Sequence, residues 1–262
     1  MSSAIAAAAV APVLASPSVR AEQTTQLVLG ETASVLESTG EWVRLRSALD
    51  GYEGWTHRGY LRLVEDAAAA AWRAAATGWS DGVRVLADGT PRVLPLRARV
   101  VLEDGLARLP DGSRARLVEG ELCEEDTARA RALEDPPARW ALRHFAGSPY
   151  QWGGLTPAGV DCSGLVQTTF LARGVVVPRD SSAQAAFGEA VLPASAAPGD
   201  LLFFRSESGG PAITHVAFLA DGDTLIHSTI ACGGVVHESF APGSRAGDAL
   251  RPRLALARRF GA

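Results

Sequence analysis

Cysteine is scarce in this chain. Its 262 residues include three cysteines, Cys123, Cys162 and Cys232, which are odd in number and far apart. The absence of a CxxC pair and of any histidine–cysteine cluster argues against a zinc site and against a thioredoxin-type motif. A disulfide framework is not expected either, and unpaired thiols fit a reducing compartment. We therefore expect no metal and no cofactor.

An excess of basic charge is also missing. The net charge is -4 at pH 7, whereas a nucleic-acid surface needs a basic face. No apolar run reaches the length that spans a bilayer. We therefore expect neither nucleic acid nor membrane as a partner, and we expect a monomer. With 47% hydrophobic and 21% charged residues, the chain has the composition of a globular protein.

The N-terminal segment "MSSAIAAAAVAPVLASPSVRAEQ" resembles a signal peptide but lacks its charged start. No Lys or Arg precedes the apolar run, the first basic residue is Arg20, and Pro12 and Pro17 interrupt the segment. We interpret "VAPVLASPSV" as a short first strand and turn of a folded domain. This interpretation predicts a cytoplasmic protein, with export as the alternative.

Short β segments separated by glycines fill the first half of the chain. In residues 1–65, alternating runs such as "EWVRLR" and "YLRLV" lie between glycines, which predicts a small barrel or sandwich. Residues 66–122 repeat this pattern, with hairpin signals at Asp104-Gly105 and Asp111-Gly112. The stretch "EDAAAAAWRAAATG" between them is compatible with a short helix and with a small-residue strand and linker.

Residues 123–262 begin with helical patterns and continue with strand patterns. Pro136 and Pro137 start a second helix after "EEDTARARALED", and "LVQTTFLARG" predicts a helix that is apolar on one face and ends at Gly174. The strand patterns that follow are "GDLLFFRS", "THVAFLAD", "TLIHSTI", "GVVHESF" and "RPRLALARRF". Helices followed by consecutive strands indicate an α+β fold.

Cys162 is a candidate nucleophile. It lies in "GVDCSGLVQTTF" where this helix begins, with Asp161 or Ser163 as capping candidates. The thiolate is the reactive form, and both a helix N-terminus and a nearby imidazolium lower the pKa of a thiol. A buried packing residue is the ordinary alternative, and we retain it for Cys123 and Cys232.

Two histidines on consecutive strand patterns are candidates for the base. His215 opens one pattern and His227 ends the next, 227 − 215 = 12 residues later, across the Asp221-Gly222 turn. A hairpin of this length brings the imidazoles close, so that one can activate the thiol while the other accepts its remaining N–H and fixes the tautomer. A packing role is the ordinary alternative, and we retain it for His57, His144 and His237.

Six short motifs carry a resemblance to a known family. The motifs "YQWGG", "DCSGLVQ", "VPRDSSAQ", "PGDLLFF", "HVAFL" and "LIHS" occur in this order, and the C-terminal half resembles the NlpC/p60 family of papain-like cysteine peptidases, which cut cell-wall peptides. The resemblance implies Cys162 as nucleophile, His215 as base and His227 as the orienting third residue. It also implies that the Tyr150 hydroxyl lines the oxyanion site, where a backbone N–H at the start of the Cys162 helix is the other donor.

The two β segments resemble bacterial SH3-like domains. The implied organisation is an SH3-like domain in residues 1–65, a second one in 66–122, and a papain-like NlpC/p60 catalytic domain in 123–262. This combination is similar to the gamma-D-glutamyl-L-diamino acid endopeptidases, which act on small peptides with a free N-terminal L-alanine. The resemblance implies that the SH3-like domain walls one end of the cleft and excludes longer substrates.

The same resemblance implies a set of substrate contacts. A free ammonium needs a carboxylate, and Glu22 in "AEQTTQLVLGE" matches that position, with Glu31 and Glu53 as rivals. Tyr52 in "GYEGW" matches an aromatic partner. The remaining candidates are Asp180 and Ser181 in "VPRDSS", for which helix capping is an alternative role, and Asp161 and Ser163 beside the nucleophile.

The expected function is a cysteine endopeptidase of cell-wall peptide recycling, with the murein peptide L-Ala-gamma-D-Glu-diamino acid as substrate. The thiolate attacks the gamma-glutamyl carbonyl, His215 protonates the leaving amine, and water releases L-Ala-D-Glu. An exported hydrolase of polymeric peptidoglycan, using the SH3-like domains as wall-binding modules, is the main alternative. A non-enzymatic binding module and an acyltransferase or amidase relative are further alternatives, because a fold does not fix the acyl acceptor.

Overall fold

The computed structural model describes residues 2–261. The chain divides into two compact units, and the division falls between Ala128 and Arg129. Both predicted β segments lie in the first unit, whereas the predicted catalytic segment, residues 123–262, lies in the second unit from Arg129 onward. The predicted boundary between residues 122 and 123 falls inside a strand, Leu122–Glu124, that pairs with the second β segment.

The first unit begins with a seven-stranded antiparallel sheet. Its strands, in chain order, are β1 (Ser2–Ala6), β2 (Val10–Leu14), β3 (Gln23–Val28), β4 (Thr32–Thr39), β5 (Trp42–Ser47), β6 (Glu53–His57) and β7 (Leu61–Glu65). Their order in the sheet is β3-β2-β6-β5-β4-β1-β7. The prediction that "VAPVLASPSV" forms the first strand is therefore wrong in its order, because Ser2–Ala6 forms a strand before it and pairs with both β4 and β7.

The alanine-rich stretch forms a helix, α1 (Asp66–Ala75). Trp72 and Ala69 are its buried residues, and the Trp72 indole donates a hydrogen bond to the carbonyl of Gly30 at 2.8 Å. Alanine has the highest intrinsic helix propensity, and the single tryptophan supplies most of the apolar area that attaches the helix. The helix alternative is therefore the correct one for this stretch.

A second antiparallel sheet follows α1. Its strands are β8 (Gly78–Ala87), β9 (Thr90–Glu103), β10 (Leu106–Arg108), β11 (Arg114–Glu119) and β12 (Leu122–Glu124). Because β11 also pairs with β8, the first four strands close into a small barrel. The predicted Asp104-Gly105 hairpin is confirmed, since both residues have positive φ, 52° and 74°, and Glu103 pairs with Leu106, as a two-residue type I′ turn requires.

One buried ion pair joins the two sheets of the first unit. Arg97, in β9, donates a hydrogen bond of 2.9 Å to Glu31, in the turn before β4. The Arg97 side chain is 1% exposed and that of Glu31 is 10% exposed. Arg97 also has a φ of 70°, which is strained for a residue with a Cβ. The surrounding contacts therefore hold this backbone against its own preference.

The second unit has the predicted α+β order. Its elements are α2 (Glu125–Glu134), which crosses the division, α3 (Pro137–Phe145), β13 (Leu155–Thr156), β14 (Gly159–Val160), α4 (Cys162–Ala172), α5 (Ser181–Gln184), β15 (Glu189–Val191), β16 (Leu201–Arg205), β17 (Ile213–Ala220), β18 (Thr224–Thr229), β19 (Gly234–Ser239), α6 (Arg245–Leu250) and β20 (Leu254–Arg259). Six strands form one antiparallel sheet in the order β15-β20-β16-β17-β18-β19. The predicted α+β class is confirmed.

Helix α4 is the central element of the second unit. The predicted helix is present, and all eleven of its residues are buried, the polar ones included. Elements on several sides, including α3, α5 and β17, pack against it. Its polar side chains find partners: Gln167 donates to the Val177 carbonyl at 3.1 Å and Thr168 to the Leu155 carbonyl at 2.9 Å, as buried polar groups must.

No helix within residues 2–261 is both long enough and apolar enough to cross a membrane. The prediction of no membrane partner uses the corresponding feature of the sequence, in which no apolar run is long enough to span a bilayer.

We predict that Arg97→Met lowers the free energy of unfolding of the first unit by about 3 kcal/mol. Methionine keeps most of the apolar stem but leaves the Glu31 carboxylate buried without its cation, which costs several kcal/mol. Urea denaturation followed by circular dichroism measures the change. Arg44→Met is the matched control, because Arg44 and its partner Glu53 are 45% and 31% exposed, and we expect a cost below about 1 kcal/mol there. Equal effects of the two substitutions would contradict the assignment.

Candidate active site

Cys162 is the first residue of α4, as predicted. Asp161 is the N-cap, and its carboxylate accepts a hydrogen bond of 2.7 Å from the Gly164 N–H. An N-cap aspartate accepts a hydrogen bond from one of the otherwise unpaired N–H groups of the helix, and its negative charge interacts favourably with the positive end of the helix dipole. The first of the two predicted capping candidates is therefore the cap, and the sulfur lies at a defined end of a rigid helix.

A buried arginine holds the start of this helix. Arg179 forms an ion pair with Asp161 at 2.6 Å, and their side chains are 1% and 8% exposed. Its guanidinium also donates to the Ser163 hydroxyl at 2.8 Å. The second Asp161 oxygen accepts the Gly153 N–H at 2.8 Å, so this one carboxylate ties the preceding loop, the helix start and Arg179 together.

The Arg179 contact was missed in the sequence, although the residue lies inside the quoted motif "VPRDSS". A signal was available: an acid next to a buried nucleophile needs a buried cation, because an unpaired charge in the interior is costly. The five hydrogen bonds to Asp161 come from within the protein. The predicted contact of Asp161 and Ser163 with substrate remains a prediction, and both side chains also have a structural role.

The structure brings the two candidate histidines together. His215 lies in β17 and His227 in the neighbouring β18, and Phe218 pairs with Ile226 between these strands. His215 precedes that pair by three residues and His227 follows it by one, so both side chains lie on the same face of the sheet. The His215 Nε2 and His227 Nδ1 atoms are 2.7 Å apart, and the rings meet edge to face.

The line of side chains continues beyond His227. His227 Nε2 lies 2.7 Å from a carboxylate oxygen of Glu238, in the next strand β19. Arg245, the first residue of α6, donates from Nε to the other oxygen at 3.0 Å. The hydrogen bond from His227 and the Arg245 guanidinium hold the pKa of Glu238 below its usual value, against the effect of burial. Neither Glu238 nor Arg245 was singled out in the sequence.

The Cys162 sulfur lies beside the strand that carries His215. It is hydrogen-bonded by the backbone N–H of Val216, the residue after His215, and by that of Ser163. These bonds and Arg179 lower the pKa of the thiol, but burial and the negative charge of Asp161 outweigh them and raise it to about 12. Because burial disfavours the charged form, the prediction of a lowered thiol pKa is wrong.

His215 does not supply an imidazolium at rest. Burial first, and then His227, Arg253 and Arg245, hold its pKa well below the usual value of an imidazole. These pKa directions favour the uncharged forms of both groups over a thiolate–imidazolium pair. The predicted roles of Cys162 as nucleophile and His215 as base, which remain predictions, would then combine in general-base catalysis.

Tyr150 is close to the same sulfur. Its backbone N–H donates to the Gly233 carbonyl at 2.8 Å, which fixes the residue beside the strand β19. Burial first, and then the charges of Cys162 and Asp161, raise the pKa of its hydroxyl. The hydroxyl therefore keeps its proton and remains a hydrogen-bond donor, as the predicted oxyanion role requires; that role stays a prediction.

The predicted substrate residues of the "VPRDSS" motif lie at the start of a short helix. Asp180 occupies the N-cap position of α5 and is exposed, but its side chain makes no capping hydrogen bond. Ser181 is the first residue of that helix and is half-buried. Asp180 therefore lies at the predicted capping position without a side-chain capping bond, and the predicted substrate contacts of both residues remain predictions.

Within the first unit, the three rival glutamates differ in what they contact. The Glu31 carboxylate pairs with Arg97 and accepts the Val28 N–H at 3.0 Å. Glu53 pairs with two arginines, Arg44 and Arg46. Glu22 is exposed, and its carboxylate has no ion-pair partner among residues 2–261. Among the three glutamates, Glu22 is thus the one whose charge is not already neutralised by an arginine. Tyr52, the predicted aromatic partner, is half-buried and follows the turn after β5.

The other cysteines and histidines have structural surroundings. Cys123 is half-buried in β12, and Cys232 is exposed. His57 caps a short 3-10 helix, Arg58–Tyr60, by accepting from Gly59 N–H, and His144 stacks on Trp140 with ring centroids 4.0 Å apart. His237 contacts the Thr224 hydroxyl at 2.8 Å. In the part of the chain that the structure describes, no three His, Cys, Asp or Glu side chains are grouped to hold a metal ion.

Comparison with known proteins gives a family match within each of the two units. Residues 147–244 match the NlpC/P60 family, and residues 13–58 match the domain described as the bacterial dipeptidyl-peptidase Sh3 domain. The chain is 31% identical over 222 residues to the gamma-D-glutamyl-L-lysine dipeptidyl-peptidase of Bacillus subtilis, covering 78% of this chain and 71% of that protein. It is 27% identical over 227 residues to the protein of the same name from Bacillus cereus, covering 78% and 66%.

The fold agrees with a solved structure over nearly the whole chain. A crystal structure of an NlpC/P60 family protein from Bacillus cereus superposes with a TM-score of 0.80 at 20% identity, covering 98% of this chain and 99% of that one. At this identity the likeness establishes the fold alone. The predicted NlpC/p60 catalytic domain and the first SH3-like domain are confirmed, whereas the SH3-like assignment of the closed barrel β8–β11 remains a prediction.

We predict that alkylation of Cys162 by iodoacetamide is slow at neutral pH and still accelerates about tenfold per pH unit near pH 10. The thiol pKa of about 12 leaves little thiolate at lower pH, and thiolate is the reactive form. Rates are read for the Cys162 peptide by mass spectrometry, with N-acetylcysteine in the same mixture as control. A plateau of fast alkylation between about pH 6 and pH 8 would instead indicate a preformed thiolate–imidazolium pair.

Proposed function

The chain belongs to the NlpC/P60 family and is a cysteine-type, peptidoglycan-related peptidase, and from this premise we propose that it cleaves the gamma-D-glutamyl-L-diamino acid bond of murein peptides whose N-terminal L-alanine is free. The product would be the dipeptide L-Ala-D-Glu.

The observation that carries the proposal is the extent of the similarity. The NlpC/P60 match covers residues 147–244, whereas the alignments to the two dipeptidyl-peptidases extend over more than 220 residues. Such alignments include part of the first unit, where the matching SH3 domain is itself described as that of bacterial dipeptidyl-peptidases. The similarity thus follows the combination of both units and not the catalytic unit alone.

The geometry of the second unit supports an acyl-transfer reaction on this substrate. The Cys162 sulfur attacks the gamma-glutamyl carbonyl while its proton passes to His215. The resulting oxyanion would accept hydrogen bonds from the Tyr150 hydroxyl and from a backbone N–H at the start of α4. His215 then gives the proton to the amine of the diamino acid, which leaves. Water, activated by the same imidazole, hydrolyses the thioester and releases the dipeptide.

A free N-terminal amine requires an anionic partner, and Glu22 is the leading candidate. Of the three rival glutamates it is the one whose carboxylate remains unpaired in the first unit, whereas Glu31 and Glu53 pair with arginines. A charge-assisted hydrogen bond between ammonium and carboxylate discriminates strongly against a blocked amine. Tyr52, Asp180 and Ser181 complete the proposed set of substrate contacts.

We further propose that the enzyme acts as a monomer on soluble peptides in the cytoplasm, in the recycling of cell-wall peptides. The apolar N-terminal segment contributes β1 and β2 to the first sheet, with Ala4, Ile5 and Val13 buried. Cys123, Cys162 and Cys232 form no disulfide bond in the structure, which suits a reducing compartment. The alternative is an exported enzyme that acts on polymeric peptidoglycan, and the experiments below distinguish the two.

We predict that the protein releases L-Ala-D-Glu from L-Ala-gamma-D-Glu-L-Lys, and that acetylating the N-terminal amine lowers kcat/KM by about a hundredfold. Acetylation removes the ammonium and leaves the carboxylate of the site without its partner. Product release is measured by mass spectrometry, with the meso-diaminopimelate tripeptide in parallel to establish which diamino acid is accepted.

Cys162→Ala is the control for the nucleophile and should abolish release from both peptides. Equal cleavage of the free and acetylated peptides, or release of fragments from purified polymeric peptidoglycan, would favour the wall hydrolase and contradict the proposal. Full turnover by Cys162→Ala would contradict the role of Cys162 as the nucleophile.

We predict that Glu22→Gln raises KM for the free-amine tripeptide about tenfold, because the amide keeps the shape of the side chain but loses the charge that binds ammonium. Glu53→Gln is the matched control and should leave KM within about twofold, because its carboxylate already pairs with Arg44 and Arg46. The steady-state kinetics of both variants decide the matter. A larger effect from Glu53→Gln than from Glu22→Gln would transfer the amine-binding role to Glu53.

A further inference from the structure

Glu238 ends a line of hydrogen bonds that begins at the candidate base. Its Oε1 atom lies 2.7 Å from His227 Nε2, and His227 Nδ1 lies 2.7 Å from His215 Nε2. The His227 side chain is 1% exposed and that of Glu238 is 17% exposed. Water therefore has little access to the middle of the line, and the protein itself has to determine which nitrogen carries each proton.

An ionised carboxylate accepts hydrogen bonds and cannot donate them. Glu238 is ionised, because the hydrogen bond from His227 and the charge of Arg245 hold its pKa low. His227 must therefore carry its proton on Nε2, the nitrogen that faces the carboxylate. When the His227 ring carries this one proton, its Nδ1 is an acceptor and faces the N–H of His215 Nε2, 2.7 Å away.

The consequence reaches His215, the proposed base. With its single proton on Nε2, a neutral His215 has a bare Nδ1 with a free lone pair. This is the tautomer that can take the proton of Cys162. In the opposite tautomer Nδ1 would carry a hydrogen and the base could not act, which is the known cost of a misdirected histidine in hydrolytic triads.

We propose that Glu238 is a positioning residue of this active site, which fixes the direction of the hydrogen-bond line and thereby keeps His215 in the tautomer that accepts the thiol proton. The assignment rests on the proposed roles of Cys162 and His215. Glu238 contacts His227 and not the reacting atoms, so it acts through the second ring.

The fold holds the carboxylate in this orientation. His227 pairs with Val236 across β18 and β19, which places Glu238 two residues further along on the same face of the sheet. Arg245 Nε binds the second oxygen at 3.0 Å, and Arg245 is itself fixed by the start of α6, where Ser244 caps the helix. With both oxygens engaged, the carboxylate cannot rotate away from His227.

The negative charge also serves during the reaction. When Nδ1 of His215 takes the thiol proton, the ring becomes positively charged and keeps its Nε2–H bond to His227. The positive charges of Arg245 and Arg253 disfavour this charge on His215. Glu238 offsets them from the far side of His227, and the positive charge disappears when Nδ1 passes its proton to the leaving amine. The proton count is thus unchanged over the cycle.

Glu238→Gln tests the proposal, because glutamine keeps the size of the side chain while its amide can donate as well as accept. We expect kcat for the tripeptide to fall about tenfold to a hundredfold with KM little changed, since part of the population adopts the inactive tautomer. The imidazole ¹⁵N shifts of histidine-labelled protein report the tautomers directly. Wild-type protein should show Nε2–H on His215 and His227, and Glu238→Gln should show both tautomers.

Two further variants separate positioning from general damage. Glu238→Asp keeps an acceptor-only group and should retain the wild-type tautomers and most of kcat. Asp223→Asn removes a carboxylate from a comparable ion pair in the same unit, 2.5 Å from Arg251, and should leave both readouts unchanged. Circular dichroism confirms that each variant is folded.

The outcomes are distinguishable from failure of the proposed function. If wild-type protein does not cleave the tripeptide, the proposed substrate fails, while the ¹⁵N spectra still test Glu238. Wild-type tautomers and wild-type kcat in Glu238→Gln would overturn the positioning role, as would an equal loss of activity in Asp223→Asn.

Discussion

Burial of the Cys162 sulfur is the constraint on which the rest of the active site depends. A sulfur at the start of an all-buried helix holds its proton tightly, so the reaction needs a base with a free nitrogen at the moment of attack. The proposed base is half-buried and its pKa is held well below the usual value, and in our proposal its free nitrogen depends on a second histidine and a carboxylate. The N–H groups of Ser163 and Val216 then have a clear task, which is to stabilise the negative charge once it forms.

The parts of this structure that could be predicted from the sequence are those with local signals. The N-cap at Asp161, the turn at Asp104-Gly105 and the histidine hairpin each involve residues a few positions apart. Their geometry follows from backbone preferences and from the two-residue period of strands. The resemblance to the NlpC/p60 family extended these signals to the catalytic unit and to the first SH3-like domain.

The parts that were missed depend on elements that meet only in the folded chain. Arg179 and Glu238 are ordinary charged residues in the sequence, and each becomes important through the one partner it contacts across the unit. The pattern of α4 indicated one apolar face because short polar residues such as Thr168 resemble surface residues until their buried acceptors are known. The thiol pKa was misjudged because the helix start is a local feature and burial is not.

The order of strands in the second unit has a consequence for when the sheet that carries His215 and His227 can be completed. Strand β20, late in the described chain, inserts between β15 and β16, and β16 in turn supports the strand of His215. The histidine hairpin is local, but the sulfur meets Val216 from 216 − 162 = 54 positions away, and such distant contacts form late in folding. A nascent chain in which β20 is not yet made therefore lacks an interior strand of the sheet that carries His215 and His227.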